Sequence, residues 1–327
     1  MLAATQNHPM PIDAVITWVD GADRAHKAKR LRHLSPASAP LHENGINPHR
    51  WACSDELSFC LRSIENNAPW IGSIFIVTDA QIPDLSHLTA SLRAKIKIVD
   101  HTQIFAGYEH ALPTFNSLAI ESMMWRIDGL AEHFIYFNDD VFLTAPLAPS
   151  DVFNGQNPVL RGKWRDQSLL GSSPHDLTDP TQFHDFMQRN AATLLGFKSE
   201  HIFASAHVVH PLRRSVFADL FARFPDAFLA NIAHKFRDVS QFQPQSLHNG
   251  ACILMDACVI HNAQDHLHLR TGAVEDYCVE DVKAFLQRAL SPEIKFFCVN
   301  DLRQIEAAIP DARTWIEAAI APSLVLA

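Results

Sequence analysis

The sequence predicts an α/β protein built on a mainly parallel, Rossmann-like sheet, with a more helical C-terminal half. Two observations carry this reading. Short apolar runs at residues 12–19, 73–78, 96–99 and 134–137 alternate with stretches of helical periodicity, the pattern of strands joined by crossover helices. These runs also close on Asp20, Asp79, Asp100 and the Asn138-Asp139-Asp140 triplet, as if one polar cleft lay along the carboxyl edge of the sheet. Open α/β sheets bind their ligands at that edge.

Residues 1–11 read as a loose tail. The run 12–19 (Ile-Asp-Ala-Val-Ile-Thr-Trp-Val) is a strong strand signal, and 27–33 reads as a helix. Its basic run, Lys27, Lys29, Arg30 and Arg32, is expected on a solvated face. Residues 35–50 form a polar, proline-containing loop. A second helix is predicted from Ser54 as N-cap, before Asp55 and Glu56. Its buried stripe is Leu57, Cys60, Leu61 and Ile64, and it ends before Pro69. Strands at 73–78 and 96–99, a helix near 117–127 and a strand at 134–137 complete the alternation. Beyond Pro146 the rhythm changes. Residues 154–180, rich in Gly, Pro, Asp and Ser, read as a long loop or lid, and helices are expected at 183–197, 212–224 and 279–290.

Composition narrows the function classes. Hydrophobic residues make up 47% and charged residues 19% of 327, enough for a large core. The net charge of −9, with no basic face beyond residues 27–32, argues against a nucleic-acid partner. There is no N-terminal signal pattern and no 18-residue apolar run, so a cytoplasmic protein without a transmembrane segment is expected. The six cysteines form no CxxC pair and read as reduced, mostly buried thiols.

The strongest chemical signal is Phe134-Ile135-Tyr136-Phe137-Asn138-Asp139-Asp140. A buried strand delivers two adjacent carboxylates, which are costly unless a cation, a donor or a proton compensates them. Oxygen ligands of this kind suit Mg²⁺ or Mn²⁺. The plain alternative is an Asn-Asp turn closing an ordinary strand. A second cluster, Asp265-His266-Leu267-His268 with His261 nearby, resembles a zinc half-site. It has no third ligand in the sequence and reads as a polar surface strand.

Several segments together resemble the Stealth family of sugar-1-phosphate transferases of capsule synthesis. The segment from Ile12 to Asp23 is similar to its first conserved region. Asp55-Glu56-Leu57, Leu61-Arg62-Ser63-Ile64, Ile76-Val77-Thr78-Asp79, Phe115-Asn116-Ser117, Ala119-Ile120-Glu121 and the stretch to Asp140 are similar to its second. His207-Val208-Val209-His210-Pro211 with His234-Lys235-Phe236-Arg237 resembles the third, and Lys295 to Asp301 the fourth.

That resemblance implies a glycosyltransferase-A-type fold and transfer of a sugar-1-phosphate from a nucleotide-sugar, a UDP-hexose, to a saccharide hydroxyl, releasing UMP. It implies a nucleotide-sugar-binding region at 12–150, a helical region at 151–327 completing one catalytic unit, and peripheral association with a membrane-bound assembly complex. Asp139 is the expected metal ligand, with Asn138 orienting an oxygen and Asp140 a second ligand or the general base. His207 is the rival base. Arg62, Arg237 and His234 are expected to grip the diphosphate. Asp20 and Asp23 would lie at the base and ribose, with simple turn chemistry around Gly21 as the alternative. Asn116, Glu121, Asn300 and Asp301 are expected to face the cleft. Two other functions share the pattern: a metal-dependent glycosyltransferase releasing UDP, and an inactive nucleotide-sugar-binding protein.

Overall fold

The computed structural model describes residues 10–34, 41–46, 51, 54–173, 175–262 and 264–322. Most of the predicted tail and of the polar 35–50 loop therefore lies outside the described residues. In chain order the strands are β1 (Ile12–Thr17), β2 (Ile74–Thr78), β3 (Ile96–Asp100), β4 (His133–Asn138), β5 (Val141–Leu143) and β6 (Phe153–Asn154). They continue as β7 (Asn157–Arg165), β8 (Ile202–Ser205), β9 (His210–Arg213), β10 (Val259–His261), β11 (His266–Leu269) and β12 (Phe296–Val299).

The main sheet runs β3-β2-β1-β4-β9. Its first four strands are parallel and β9 is antiparallel. β1 and β2 are buried along their whole length, as parallel strands covered on both faces must be. Period-2 alternation splits the core: Ala14 and Ile16 join Leu61, Ile64 and Ile316 on one face, while Val15 joins Phe75, Met123 and Phe134 on the other. Buried Asp13 is satisfied by the Ser73 and Ala131 amides, at 2.8 and 2.9 Å, and so ties down two loops. The chain builds β2 and β3 on one side of β1 and then returns to place β4 on the other. The switch point therefore lies between β1 and β4, with Thr17 beside Asn138.

Two smaller sheets flank this one. β7 pairs with β10, β6 and β8, while β12 lies between β11 and β5. The core is continuous across the halves, since Leu267 and Phe296 share a cluster with Ile12 and Phe137.

The second half is the more helical one, as expected, but it also carries β6 to β12. Several other expectations are corrected here. Residues 154–180 are not one long loop: β7 occupies 157–165, and its Pro158 and Gly162 mask the strand pattern. Gly162 is there because a Cβ would lie 2.5 Å from the Ala204 carbonyl oxygen of paired β8. The helix expected at 212–224 begins with β9 and is helical only over Arg214–Arg223. The helix expected to 127 stops at Glu121 and is followed by one 3₁₀ turn.

The second helix spans Glu56–Asn67 and its N-cap position is Asp55, at φ 65°, not Ser54. The Ser54 amide instead donates to the Glu56 carboxylate at 2.5 Å. The basic face of Arg24–His33 is only partly solvated: Arg30 is buried with its guanidinium 4.0 Å from the Trp51 ring, and Lys29 pairs with Asp79. Among the described residues no helix is long and apolar enough to cross a membrane.

Candidate active site

A cleft of about 1150 Å³ opens at the switch point, along the carboxyl ends of β1, β2 and β4. Thr17, Asn116, Asn138, Asp139, Asp140, His207, Arg237, Asn300 and Asp301 line it. Segments from opposite ends of the chain thus meet around the acidic triplet. Asp139 and Asp140 form the turn where β4 leaves the main sheet and β5 enters the three-stranded one. The triplet therefore forms a turn and also lines the cleft.

Asp140 is held from the far wall. Its main-chain oxygen accepts from Val299 N at 3.0 Å, and its Oδ2 accepts from Asn300 Nδ2 at 2.6 Å. Because Nδ2 faces a carboxylate, the other end of that amide must be the oxygen. His268 Nε2, 2.7 Å from Asn300 Oδ1, is therefore the donor there, which sets its tautomer. Burial lowers the pKa of His268 and lowers that of His207 further, with the neighbouring His268, His184 and His210 adding to the effect. Both rings are neutral near pH 7.

Arg237 faces this group from a different direction. Its Nη2 donates to the Ser117 hydroxyl, and its buried Nε has no protein partner. Burial lowers its pKa, opposed by the charges of Glu121, Tyr136 and Asp140, and the guanidinium stays protonated. A desolvated cation with an unused donor suits a multivalent anion. The loop carrying it is pinned by Asn116, whose Nδ2 donates to the carbonyls of His234 and Phe236, both at 3.1 Å, and to Gln241 Oε1 at 2.9 Å. Behind it Glu121 accepts from the Tyr136 hydroxyl, which also bonds Thr17, each at 2.9 Å.

Not every expected residue reaches the cleft. Arg62 is half-exposed, pairs with Glu317 at 3.5 Å and does not line the cleft. Asp20 and Asp23 do turn chemistry: Asp20 Oδ1 accepts from Ala22 N at 2.9 Å, and Asp23 caps the helix through His26 N at 2.7 Å. His234 ends the helix Pro225–Ala233 outside the cleft, beside Ser240. Glu121 stands one layer behind the wall, next to Arg237. Asn116 does line the cleft, but its amide is spent on the 234–241 loop.

Sequence reasoning missed other walls. Trp18, His26, Trp51, His101, His184 and His268 also line the cleft. His268 was visible as part of the His-x-His pair but was assigned to the surface. Its cleft position depends on β11 pairing with β12, a contact no local pattern announces.

A Rossmann-like sheet with an acidic cleft at its switch point defines the class of protein. The chain belongs to the Stealth family. Family models match conserved region 1 over residues 10–32, conserved region 2 over 50–159 and conserved region 3 over 206–249. The chain is 37% identical over 242 residues to an exopolysaccharide phosphotransferase of Streptomyces coelicolor, covering 73% of this chain and 39% of that protein. It is 33% identical to a capsular polysaccharide phosphotransferase of Neisseria meningitidis serogroup B, over 72% of this chain and 62% of the relative. A capsular polysaccharide phosphotransferase of Streptococcus pneumoniae is 39% identical over 70% of this chain and 74% of the relative. The chain thus spans less than two thirds of the first two relatives. Among solved structures, the galactosyltransferase LgtC with donor and acceptor sugar analogues aligns over 96% of this chain and 97% of its own. The TM-score is 0.45 and the identity 13%.

Proposed function

We propose that this chain transfers a sugar-1-phosphate from a nucleotide-sugar, a UDP-hexose, to a hydroxyl of a saccharide acceptor in capsular or exopolysaccharide synthesis. One observation carries the reading: Arg237, whose buried Nε has no protein partner, lines the same cleft as Asp139 and Asp140. The cleft is large enough for a nucleotide-sugar. The names of the relatives, phosphotransferases of capsular and exopolysaccharide, support the same reaction class.

The adjacent carboxylates of Asp139 and Asp140, both lining the cleft, are oxygen ligands that suit a hard cation. Asp139 and Asp140 would hold Mg²⁺ or Mn²⁺, which when bound would take up charge on phosphate oxygens. Arg237 grips the donor diphosphate and neutralises charge that grows as the phosphate leaves. Asn116 keeps the Arg237 loop in place, and Asn300 fixes the Asp140 carboxylate.

Neutral His207 keeps a lone pair and accepts the proton of the acceptor hydroxyl. Its low basicity in the empty cleft rises once an anionic diphosphate lies nearby. The acceptor oxygen bonds to the sugar-bearing phosphorus, the bond to the nucleoside monophosphate breaks, and that monophosphate departs. A panel of nucleotide-sugars with Mg²⁺ and a saccharide acceptor tests this. Release of UMP is expected; release of UDP would make the chain a glycosyltransferase, and donor-induced thermal stabilisation without turnover would make it a binding protein.

A further inference from the structure

The histidine pair of β11, left without a third ligand by the sequence, acquires two partners in the folded chain. His268 stacks on His207, with ring centroids 4.7 Å apart and 28° between the planes. Cys298, on neighbouring β12, pairs in register with His268. Donor atoms of His207, His268 and Cys298 lie within 4.8 Å of one another. His266 is not part of this set and turns to Asp265 at 3.5 Å.

The chemistry of these three differs from that of the nearby carboxylates. Two neutral imidazoles and a thiol select a borderline-soft cation of the zinc class and offer little to Mg²⁺. The hydrogen-bond network prepares them for it. Asn300 Oδ1 accepts from His268 Nε2, which leaves Nδ1 as the nitrogen with a lone pair. Metal-ligating histidines commonly have their other ring N–H held this way. Asn300 Nδ2 also lies 3.4 Å from Cys298 Sγ and would donate to a thiolate there, although burial and the nearby Asp140 and Asp139 hold the thiol well above its usual pKa, so that the metal itself must displace the proton.

Tetrahedral zinc with bonds of about 2.0–2.3 Å sets its donors about 3.3–3.8 Å apart. The set must therefore close by roughly 1 Å, a shift within the reach of side-chain rotation at His268 on the edge strand β11.

We propose that His207, His268 and Cys298 form a binding site for Zn²⁺ or a similar soft divalent cation, separate in donor type from the Asp139–Asp140 carboxylates. On binding, the S–H bond of Cys298 breaks, a sulfur–metal bond forms and the proton passes to solvent. Occupancy takes the lone pair of His207 and so silences the proton acceptor. That consequence rests on the functional reading above, whereas the binding test uses no substrate and stands without it.

The test is a Co²⁺ titration of the reduced full chain, read by the thiolate-to-cobalt charge-transfer absorption and the visible bands of tetrahedral cobalt. Both are expected to appear, to be bleached by Zn²⁺, and to resist millimolar Mg²⁺. Cys298→Ser is expected to abolish the charge-transfer band. His268→Ala, at an exposed position that spares the fold, is expected to weaken Co²⁺ binding at least about tenfold. Absence of the band in the wild-type chain, an unchanged band in Cys298→Ser, or unchanged affinity in His268→Ala would each overturn the assignment.

Discussion

Arg161→Met tests the joint that carries the far wall of the cleft. Arg161 on β7 donates from Nε to both Asp265 oxygens at 3.0 Å and from Nη2 to Oδ2 at 2.8 Å. The two side chains are only 2% and 8% exposed. Asp265 leads into β11, and its main-chain oxygen accepts from Lys295 and Phe296 at the start of β12. The ion pair therefore ties the β7 sheet to the strands bearing His268, Cys298 and Asn300.

Burial alone would raise the Asp265 carboxyl, but the adjoining His266 ring and the Arg161 guanidinium outweigh it and hold the group well below the usual carboxylate range. A depressed folded-state value means that the stabilisation is fully present at neutral pH and lost only as acid titrates the folded carboxylate. Removing one member of such a pair strands a buried charge and costs about 3–5 kcal/mol. With an unfolding entropy near 2.1 cal/mol/K per residue, a chain of 327 residues loses about 4–7 °C in melting temperature. Replacing both members, as in Arg161→Met with Asp265→Leu, leaves no stranded charge and is expected to fall within about 2 kcal/mol of wild type. Urea unfolding at pH 7.5 measures all three chains. A single-variant loss below about 1 kcal/mol, or a double variant no better than the single, refutes the argument.

Three further outcomes are expected. Asp139→Asn keeps the turn geometry and relieves charge repulsion, so the melting temperature holds or rises while metal-dependent turnover falls by about 100-fold or more; nucleotide release at the wild-type rate would remove Asp139 from the site. Asn116→Ala leaves three acceptors without their shared donor and costs about 2–4 kcal/mol, with weaker binding of the nucleotide-sugar than of free cation, measured by denaturation and calorimetry. Burial pushes His210 and His248 down to about 3, while the unfolded chain protonates near 6.5. Unfolded chains thus bind more protons between those values, so stability is full above pH 6.5 and falls as pH drops toward 3. Each histidine contributes a loss of about 1.4 kcal/mol at pH 5.5, and a denaturation midpoint independent of pH across this window would contradict their burial as neutral rings.

Legibility varied with how local the determining physics was. β1, β2 and β4 were readable because strands buried on both faces are continuous apolar runs, and edge strand β3 because Ile96, Ile98 and Val99 keep it apolar around Lys97. β7 was not, because its Pro158 and Gly162 look like loop residues until the close approach of β8 is known. Arg62 and Arg237 are equally plausible phosphate ligands as residue types. Only packing turned Arg62 outward to Glu317 and buried Arg237 beside Ser117.

Asp20 and Asp23 followed ordinary turn and capping chemistry, which was the weaker-sounding alternative at their positions. His268 shows the opposite error: an alternating polar strand reads as surface, yet its edge position in a small sheet brings it to the cleft.

By itself the amino-acid sequence determined the parallel sheet, its acidic edge and the family, because apolar periodicity and short motifs are local properties of the chain. The tertiary structure decided which charges share a cleft. Residues near 17, 140, 207, 237, 268 and 300 meet only when β4 is inserted beside β1 and three sheets close around the switch point. That arrangement is set by long-range burial, which no local window of sequence contains.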